Sequence, residues 1–259
     1  MINWQRLVFS IGIFCFAVLG QAAPARAQDV QNFVINSMVV DYRLSNSDEQ
    51  GLLKIKETIT VDFKGRNRGI LRAIPEKNAS VKTYPKILNV TRNGETEPYI
   101  TYSENNNTVV RIGDVNTYIT GQHTYVIEYQ VENVIRFFET HDELYWNVNG
   151  VNWLQAFEII DMNLSFEAEK AFDTGLEPRC FTGTIGSEEA ACEIQVTTTS
   201  LTVQTTRSLQ AGETLTFVQS FRKGYFIPPS WLEQHGRSLV GVIILLGQIS
   251  LVGFALRKW

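Results

Sequence analysis

Histidine and cysteine are scarce in this chain of 259 residues, three of each. The scarcity removes whole classes of chemistry. A tetrahedral zinc site takes four N or S ligands at close spacing, and no stretch of this sequence gathers them; a redox pair would read Cys-x-x-Cys, which is also missing. His-Glu-x-x-His, Gly-x-Ser-x-Gly, the phosphate loop and the dinucleotide glycine pattern do not occur either, which argues against enzymes of those classes. No metal or cofactor is indicated. Positive charge is short too: the formal net charge is -4, and every Asp and Glu lies between residues 28 and 236, while Arg6, Arg26, Arg237, Arg257 and Lys258 lie outside. The middle is therefore more acidic than the whole. Nucleic acid is excluded as a partner on that ground, because its backbone is bound by clustered Lys and Arg, and attraction of the body to anionic lipid is excluded with it.

Two apolar segments stand at the ends. Residues 7–20 form an unbroken apolar run after a short basic start, and Ala25-Arg26-Ala27 offers the small-x-small site of a signal peptidase, so 1–27 reads as a signal peptide. Residues 238–256 are long enough to cross a hydrocarbon core of roughly 30 Å as a helix, and Arg257 and Lys258 follow directly. The expected organisation is a leader at 1–27, an exported domain at 28–223, a stalk at 224–236 carrying Pro228 and Pro229, and a membrane helix with a short basic tail at 237–259. Such a chain is a single-pass cell-membrane protein with its body outside and three residues beyond the span. Trp231 and Trp259 are placed as interfacial anchors, and Gln248 in the span is either a hydrogen-bonding contact to another helix or merely tolerated.

Cys15 leaves with the leader. Cys180 and Cys192 remain as an even pair in an exported chain, separated by a stretch with Gly183, Gly186 and Ser187, and they read as a disulfide closing a short hairpin-like loop.

Between the ends the sequence alternates with a period of two. Residues 54–63 put Ile55, Ile59, Val61 and Phe63 on one face and mostly polar groups on the other, as a half-buried strand requires. Similar patterns at 37–44, 86–91, 99–103, 108–112, 124–131, 143–148, 158–167, 193–204 and 214–221 are rich in Val, Ile, Thr and aromatics. Asn93-Gly94 and Asn105-Asn106-Asn107 mark tight turns. The expected fold is mainly β, an antiparallel β-sandwich built as one extended or two abutting sandwiches, with any join near 150–155.

Specific residues then resemble a known family. Gly69-Ile70-Leu71-Arg72-Ala73-Ile74-Pro75 behind the strand with Glu57 to Phe63, Gly121-Gln122-His123-Thr124-Tyr125-Val126-Ile127-Glu128-Tyr129, and Asp142-Glu143-Leu144-Tyr145-Trp146-Asn147-Val148 with Gly150 and Trp153 come in order. Cys180, Thr182-Gly183, Cys192, Lys223-Gly224 and Pro228-Pro229 complete the set. Together they are similar to the predicted prokaryotic membrane proteins of domain of unknown function 2207. The resemblance implies an exported β-rich domain joined to membrane helices, without an established activity. Members commonly carry His before the Gly and Asp after the Arg, where this chain has Arg68 and Ala73, and many continue into further helices.

Candidate binding residues follow from these motifs. Arg72 lies among Ile70, Leu71 and Ile74, where a guanidinium needs a carboxylate partner, and Glu57, Asp142 and Glu143 are at hand. Two roles are open, a clamp between strands or a site for an anionic ligand or peptide carboxylate. His141-Asp142-Glu143 reads as a turn with solvated charges rather than a metal or acid–base site, since neighbours on a strand point to opposite faces. Tyr145, Trp146 and Trp153 read as core aromatics, with a sugar platform as the other possibility. No catalytic residue is assigned. The leading functional expectation is a membrane-anchored extracytoplasmic β-sandwich that binds or assembles with another envelope or membrane protein; a hydrolase of envelope polymer using Asp142 or Glu143, and a structural subunit of a membrane complex, are the alternatives.

Overall fold

The computed structural model describes residues 32–45, 50–78, 81–151, 153–166, 177–228 and 230. The expected leader, the expected membrane span and most of the expected stalk lie outside the described residues. Among the described residues no helix is long and apolar enough to cross a membrane.

The described part is mainly β. In chain order the strands are β1 Phe33–Ser45, β2 Leu52–Asn67, β3 Ile70–Pro75, β4 Lys77–Asn78, β5 Val81–Lys82, β6 Lys86–Arg92, β7 Glu95–Thr96, β8 Tyr99–Glu104, β9 Asn107–Ile112, β10 Ile119–Glu132, β11 Ile135–Phe137, β12 His141–Asn147, β13 Ile160–Phe166, β14 Arg179–Gly183, β15 Cys192–Val196, β16 Ser200–Thr205 and β17 Thr214–Arg222. They form an eight-stranded sheet in the order β15-β16-β13-β1-β2-β10-β6-β7, a four-stranded sheet β11-β12-β17-β14, a three-stranded sheet β3-β9-β8 and the small pair β4-β5.

The period-two pattern translates directly into burial. In β2, Leu53, Ile55, Ile59, Val61 and Phe63 are at most 4% exposed, and they meet Val40, Leu44, Tyr129, Leu144, Phe217 and Phe221 in one continuous core shared by the three larger sheets. Each such aliphatic or aromatic side chain contributes about 1.5–3 kcal/mol on leaving water. A single core replaces the option of two abutting units. The expectation of purely antiparallel pairing also needs correction, because β1 lies beside β13 in parallel, Met38 opposite Ile160 through Leu44 opposite Phe166. Parallel neighbours need a long crossover, and more than a hundred residues separate these two.

Turns behave as their residues dictate. Asn93 and Gly94, with φ of 53° and 87°, join β6 to β7, and Asn105 and Asn106, at 51° and 59°, join β8 to β9, the left-handed pair that two-residue hairpins use. Gly69 and Gly113 serve a different need. Their backbones cross so closely that a Cβ on Gly69 would lie 1.8 Å from the Ile112 carbonyl oxygen, and one on Gly113 would lie 1.9 Å from that of Arg68. Only glycine fits either place.

Two poles are defined by β2. It starts opposite Ser45 of β1 and Glu132 of β10, and it ends beside Phe33 and Ile119; its 16 residues reach about 50 Å at 3.3 Å per residue. The chain leaves β17 at the first of these poles. There Phe221 meets Phe166 at 5.8 Å and Phe226 at 5.2 Å between ring centroids, and Phe226 packs close to Gly51.

The disulfide joins Cys180 and Cys192, with Cα atoms 6.4 Å apart. It closes the hairpin-like loop expected of it, in which Thr182 bridges Glu189 in antiparallel fashion and its backbone N–H donates to the Glu189 carbonyl. β14 is an edge of the four-stranded sheet and β15 an edge of the eight-stranded one, so the bond ties two sheets together along their margins.

Candidate functional site

Glu57 falls at an inward position of β2, between Ile55 and Ile59, and is 0% exposed. Such a carboxylate must be paired. Its partner is Arg72 of β3, 2% exposed, whose Nε donates to Oε2 at 2.8 Å and whose Nη2 donates to Oε1 at 2.7 Å. The remaining donors of the guanidinium are also used: Nη1 reaches the carbonyls of Ala73 at 2.7 Å and Asn149 at 3.0 Å, and Nη2 reaches that of Val148 at 3.3 Å. All five N–H groups are satisfied. The Tyr129 hydroxyl adds a third bond to Glu57, donating to Oε1 at 2.6 Å.

Arg72 thereby ties three sheets at one point. It belongs to the three-stranded sheet, Glu57 and Tyr129 to the eight-stranded sheet, and Val148 and Asn149 directly follow β12 of the four-stranded sheet. Asn149 extends the network: its carbonyl also accepts the Trp153 indole N–H at 2.6 Å, and its side-chain oxygen accepts from the backbone N–H of Leu215 and the hydroxyl of Thr214, both at 2.9 Å. Burial works most strongly against the charge on Arg72, but the charge and hydrogen bonds of Glu57, together with Tyr129 and Tyr42, outweigh it and raise the arginine above its ordinary range. Burial and then the same carboxylate push the Tyr129 and Tyr42 hydroxyls well above theirs, while Arg72 pulls both the other way, joined at Tyr42 by the Trp146 indole. The cluster is one charged pair inside a jacket of neutral hydroxyls and indoles.

Asp142 and Glu143 do not join it. The expectation that Arg72 reaches these carboxylates is replaced by its grip on the carbonyls beyond the end of the same strand. His141-Asp142-Glu143 is likewise no turn, since it begins β12, with His141 opposite Arg222, Asp142 opposite Phe221 and Glu143 opposite Ser220. Asp142 points inward, is 0% exposed, and accepts from Lys223 Nζ at 2.9 Å; that ammonium also donates to the Phe138 carbonyl at 2.7 Å. Glu143 points the other way, with Arg136 at 3.8 Å and His141 at 4.0 Å. Arg136 lies over the Tyr145 ring at 4.1 Å, and Phe138 stacks on His141 at 4.8 Å. Trp146 and Trp153 are each 7% exposed and belong to the core. Of the four candidate binding residues, the structure brings Arg72 and Trp146 to one interior cluster and leaves Asp142 and Glu143 outside it, on opposite faces of the start of β12, the strand that carries Trp146. No group of three or more His, Cys, Asp or Glu that could hold a metal ion occurs among the described residues.

A second polar assembly had not been singled out from the sequence. At the end of β2, the guanidinium carbons of Arg66 and Arg68 lie 4.1 and 4.4 Å from the centroid of the Tyr118 ring, and Arg68 Nη2 donates to the Tyr118 hydroxyl. Beside them a cavity of about 170 Å³ is lined by Arg68, Arg92, Glu97, Pro98, Asp114, Thr117 and Ile119. The signal was available: Lys64 and Arg66 occupy alternate positions at the end of β2 and so share a face, and Arg68 follows at the same spacing just beyond the strand.

A mainly β domain of several sheets around one core, locked by a buried ion pair and a disulfide, is what the geometry defines. The chain belongs to the family described as predicted membrane protein (DUF2207) N-terminal domain, whose model matches residues 34–221. A curated relative is uncharacterized protein YciQ of Escherichia coli (strain K12), 31% identical over 128 residues. That match covers 45% of this chain and 20% of the relative, so the chain spans about a fifth of the curated protein it matches. Among solved structures, yeast LTA4 hydrolase in complex with bestatin is similar at TM-score 0.49 and 8% identity, over 76% of this chain and 31% of that one. The M1 zinc metallopeptidase from Deinococcus radiodurans is similar at TM-score 0.44 and 7% identity, over 73% of this chain and 42% of that one.

Proposed function

We propose that this chain is a membrane-anchored extracytoplasmic β-sandwich that assembles with another envelope protein by taking one of that protein's strands onto its three-stranded sheet. One observation carries the reading. β8 is an edge strand with β9 as its neighbour, and all six of its residues are exposed. Natural edges are usually blunted by Lys, Pro or a bulge, whereas Tyr99-Ile100-Thr101-Tyr102-Ser103-Glu104 holds an unbroken register with β9 and contains neither residue. Beside this open row of backbone donors and acceptors, Ile100 and Tyr102 form an apolar strip on one face of β8, 49% and 40% exposed, with Arg111 of β9 between Ile100 and Leu71. An added strand would gain main-chain hydrogen bonds at the edge and bury that apolar strip.

The hydrolase alternative fares worse on geometry. Two carboxylates that act on one glycosidic bond must flank it, yet Asp142 is enclosed against Phe221 and Lys223 while Glu143 faces away from it. The test uses the full chain in its native membrane, with a photo-crosslinking residue at Ser103. A crosslink to an envelope protein that vanishes in the Ile100→Lys/Tyr102→Lys variant supports strand docking, provided the melting temperature stays within a few degrees. A crosslink that survives both substitutions sinks it. Orientation is tested separately: Asn106→Cys should react with an impermeant thiol reagent on intact cells, and reaction only after lysis would reverse the topology.

A further inference from the structure

We propose that the cavity at the pole opposite the β17 exit is a binding site for a free carboxylate on a small amino-acid-like ligand, either a peptide C-terminus or a free amino acid, with Arg68 as the group that reads it. The proposal concerns a different surface from β8 and does not rest on strand docking.

The first support is an arginine with donors to spare. Arg68 carries no carboxylate partner among the described residues; its Nη2 is directed by the Tyr118 hydroxyl, and its Nε is shielded from solvent without a hydrogen-bond partner. A carboxylate is the ligand whose paired oxygens match two adjacent guanidinium N–H groups, and such bidentate bonds are the strong ones. The guanidinium is also held in place. Tyr118 lies under both Arg66 and Arg68, and the attraction of a cation to a ring face fixes the plane in which those donors point. The strand beneath is fixed by the Gly69–Gly113 crossing, so the donor set is preorganised rather than assembled on binding.

The second support is the mixed charge of the walls. Arg92 is already matched by Glu97 at 3.0 Å, and Asp114 is tied into its own turn by the backbone N–H of Asn116 at 2.8 Å and the Thr117 hydroxyl at 3.3 Å. Glu97 and Asp114 balance Arg92 and Arg68 in formal charge, which disfavours a phosphate dianion relative to a single carboxylate, and their remaining lone pairs offer acceptors to an ammonium or amide N–H next to a bound carboxylate. The lining therefore fits a carboxylate with a nitrogen donor close by. Its volume, about 170 Å³, suits one small residue. Its place matters as well, because the chain leaves toward the C-terminal apolar segment from the other end of β2, about 50 Å away. A site there reaches outward.

Calorimetric titration of the full chain in detergent micelles, with trialanine, trialanine amide, free alanine and inorganic phosphate as probes, decides the matter. Trialanine should bind saturably, its amide at least tenfold more weakly, and phosphate should not displace it at equal concentration. Binding of free alanine as tightly as trialanine would identify the free amino acid as the source of the carboxylate; much weaker binding would identify the peptide end. Arg68→Met should abolish binding, and Arg68→Lys should weaken it about tenfold by losing the second parallel hydrogen bond. The comparison of acid with amide needs no variant, so a variant that fails to fold leaves the test intact. Equal binding of acid and amide, displacement by phosphate, or no saturable binding at millimolar trialanine would each overturn the proposal.

Discussion

Replacing Arg72 by Met tests the central claim about how the sheets are joined. The side chain of Met fills part of the same volume, so the main losses are electrostatic and hydrogen-bonding. Glu57 would keep only the Tyr129 hydroxyl at 2.6 Å, with no cation inside a core from which it is fully excluded from water, and the carbonyls of Ala73, Val148 and Asn149 would lose a donor each. Breaking a buried pair by removing one partner typically costs about 3–5 kcal/mol, against about 0–1 for an exposed pair. With pair members 2% and 0% exposed, the upper range applies. Urea unfolding followed by tryptophan fluorescence is the natural assay, because Trp146 and Trp153 border the cluster and report its opening. The Arg72→Met/Glu57→Gln double variant should recover part of the loss, giving a coupling of about 0.5–3 kcal/mol. A single-variant loss below about 1 kcal/mol, or a double variant as unstable as the sum of its singles, would refute the buried-clamp reasoning.

Three other outcomes follow from the same geometry. Reducing the Cys180–Cys192 bond, which spans 12 residues, should lower stability by about 3 kcal/mol in the chain-entropy model; intact mass without reductant showing two free thiols would remove the premise. Tyr42 and Tyr129 have hydroxyls raised by burial, so their contribution is complete below the unfolded value near pH 10 and declines above it, as the unfolded chain ionises before the fold does. Each should make stability fall by about 1.4 kcal/mol per pH unit in that window, and a flat stability profile between pH 10 and 11.5 would contradict it. Gly69→Ala and Gly113→Ala each force a Cβ into a carbonyl oxygen at an unfavourable φ, so both should abolish accumulation of protease-resistant protein, as limited proteolysis would reveal.

Much of the sheet structure was legible because period two leaves a visible trace where one face is buried and the other is wet. β1, β2, β6, β8, β9, β10, β12, β13 and β17 were all readable in this way, with ends displaced by a few residues. β14 and β11 were not, being short strands of five and three residues. β3 does not show the period-two signature, because its inward series contains Arg72. Residues 193–204 read as a single strand, whereas Thr197 bonds back to Ser200 and divides them into the β15–β16 hairpin. That Arg72 needs a carboxylate was evident from its neighbours. Which carboxylate answers it was evident only in part: Glu57 sits at the parity of Ile55 and Ile59, but the choice between Glu57, Asp142 and Glu143 depends on how sheets stack, which no local pattern encodes. The parallel β1–β13 pairing is a long-range fact of the same kind.

That pairing sets a schedule for the growing chain. β1 finds β2 at once, across a short connection, but its other edge must await Ile160, 122 positions after its partner Met38. At synthesis rates of about 5–20 residues per second, the wait is roughly 6–25 s, and closing so distant a pair is slow in its own right. Throughout that interval the nascent molecule presents a strand of alternating Val, Met and Tyr with nothing on one side. Residues 38–44 therefore stay the last part of β1 to gain a second neighbour, and the eight-stranded sheet cannot be completed on that side before β13 arrives.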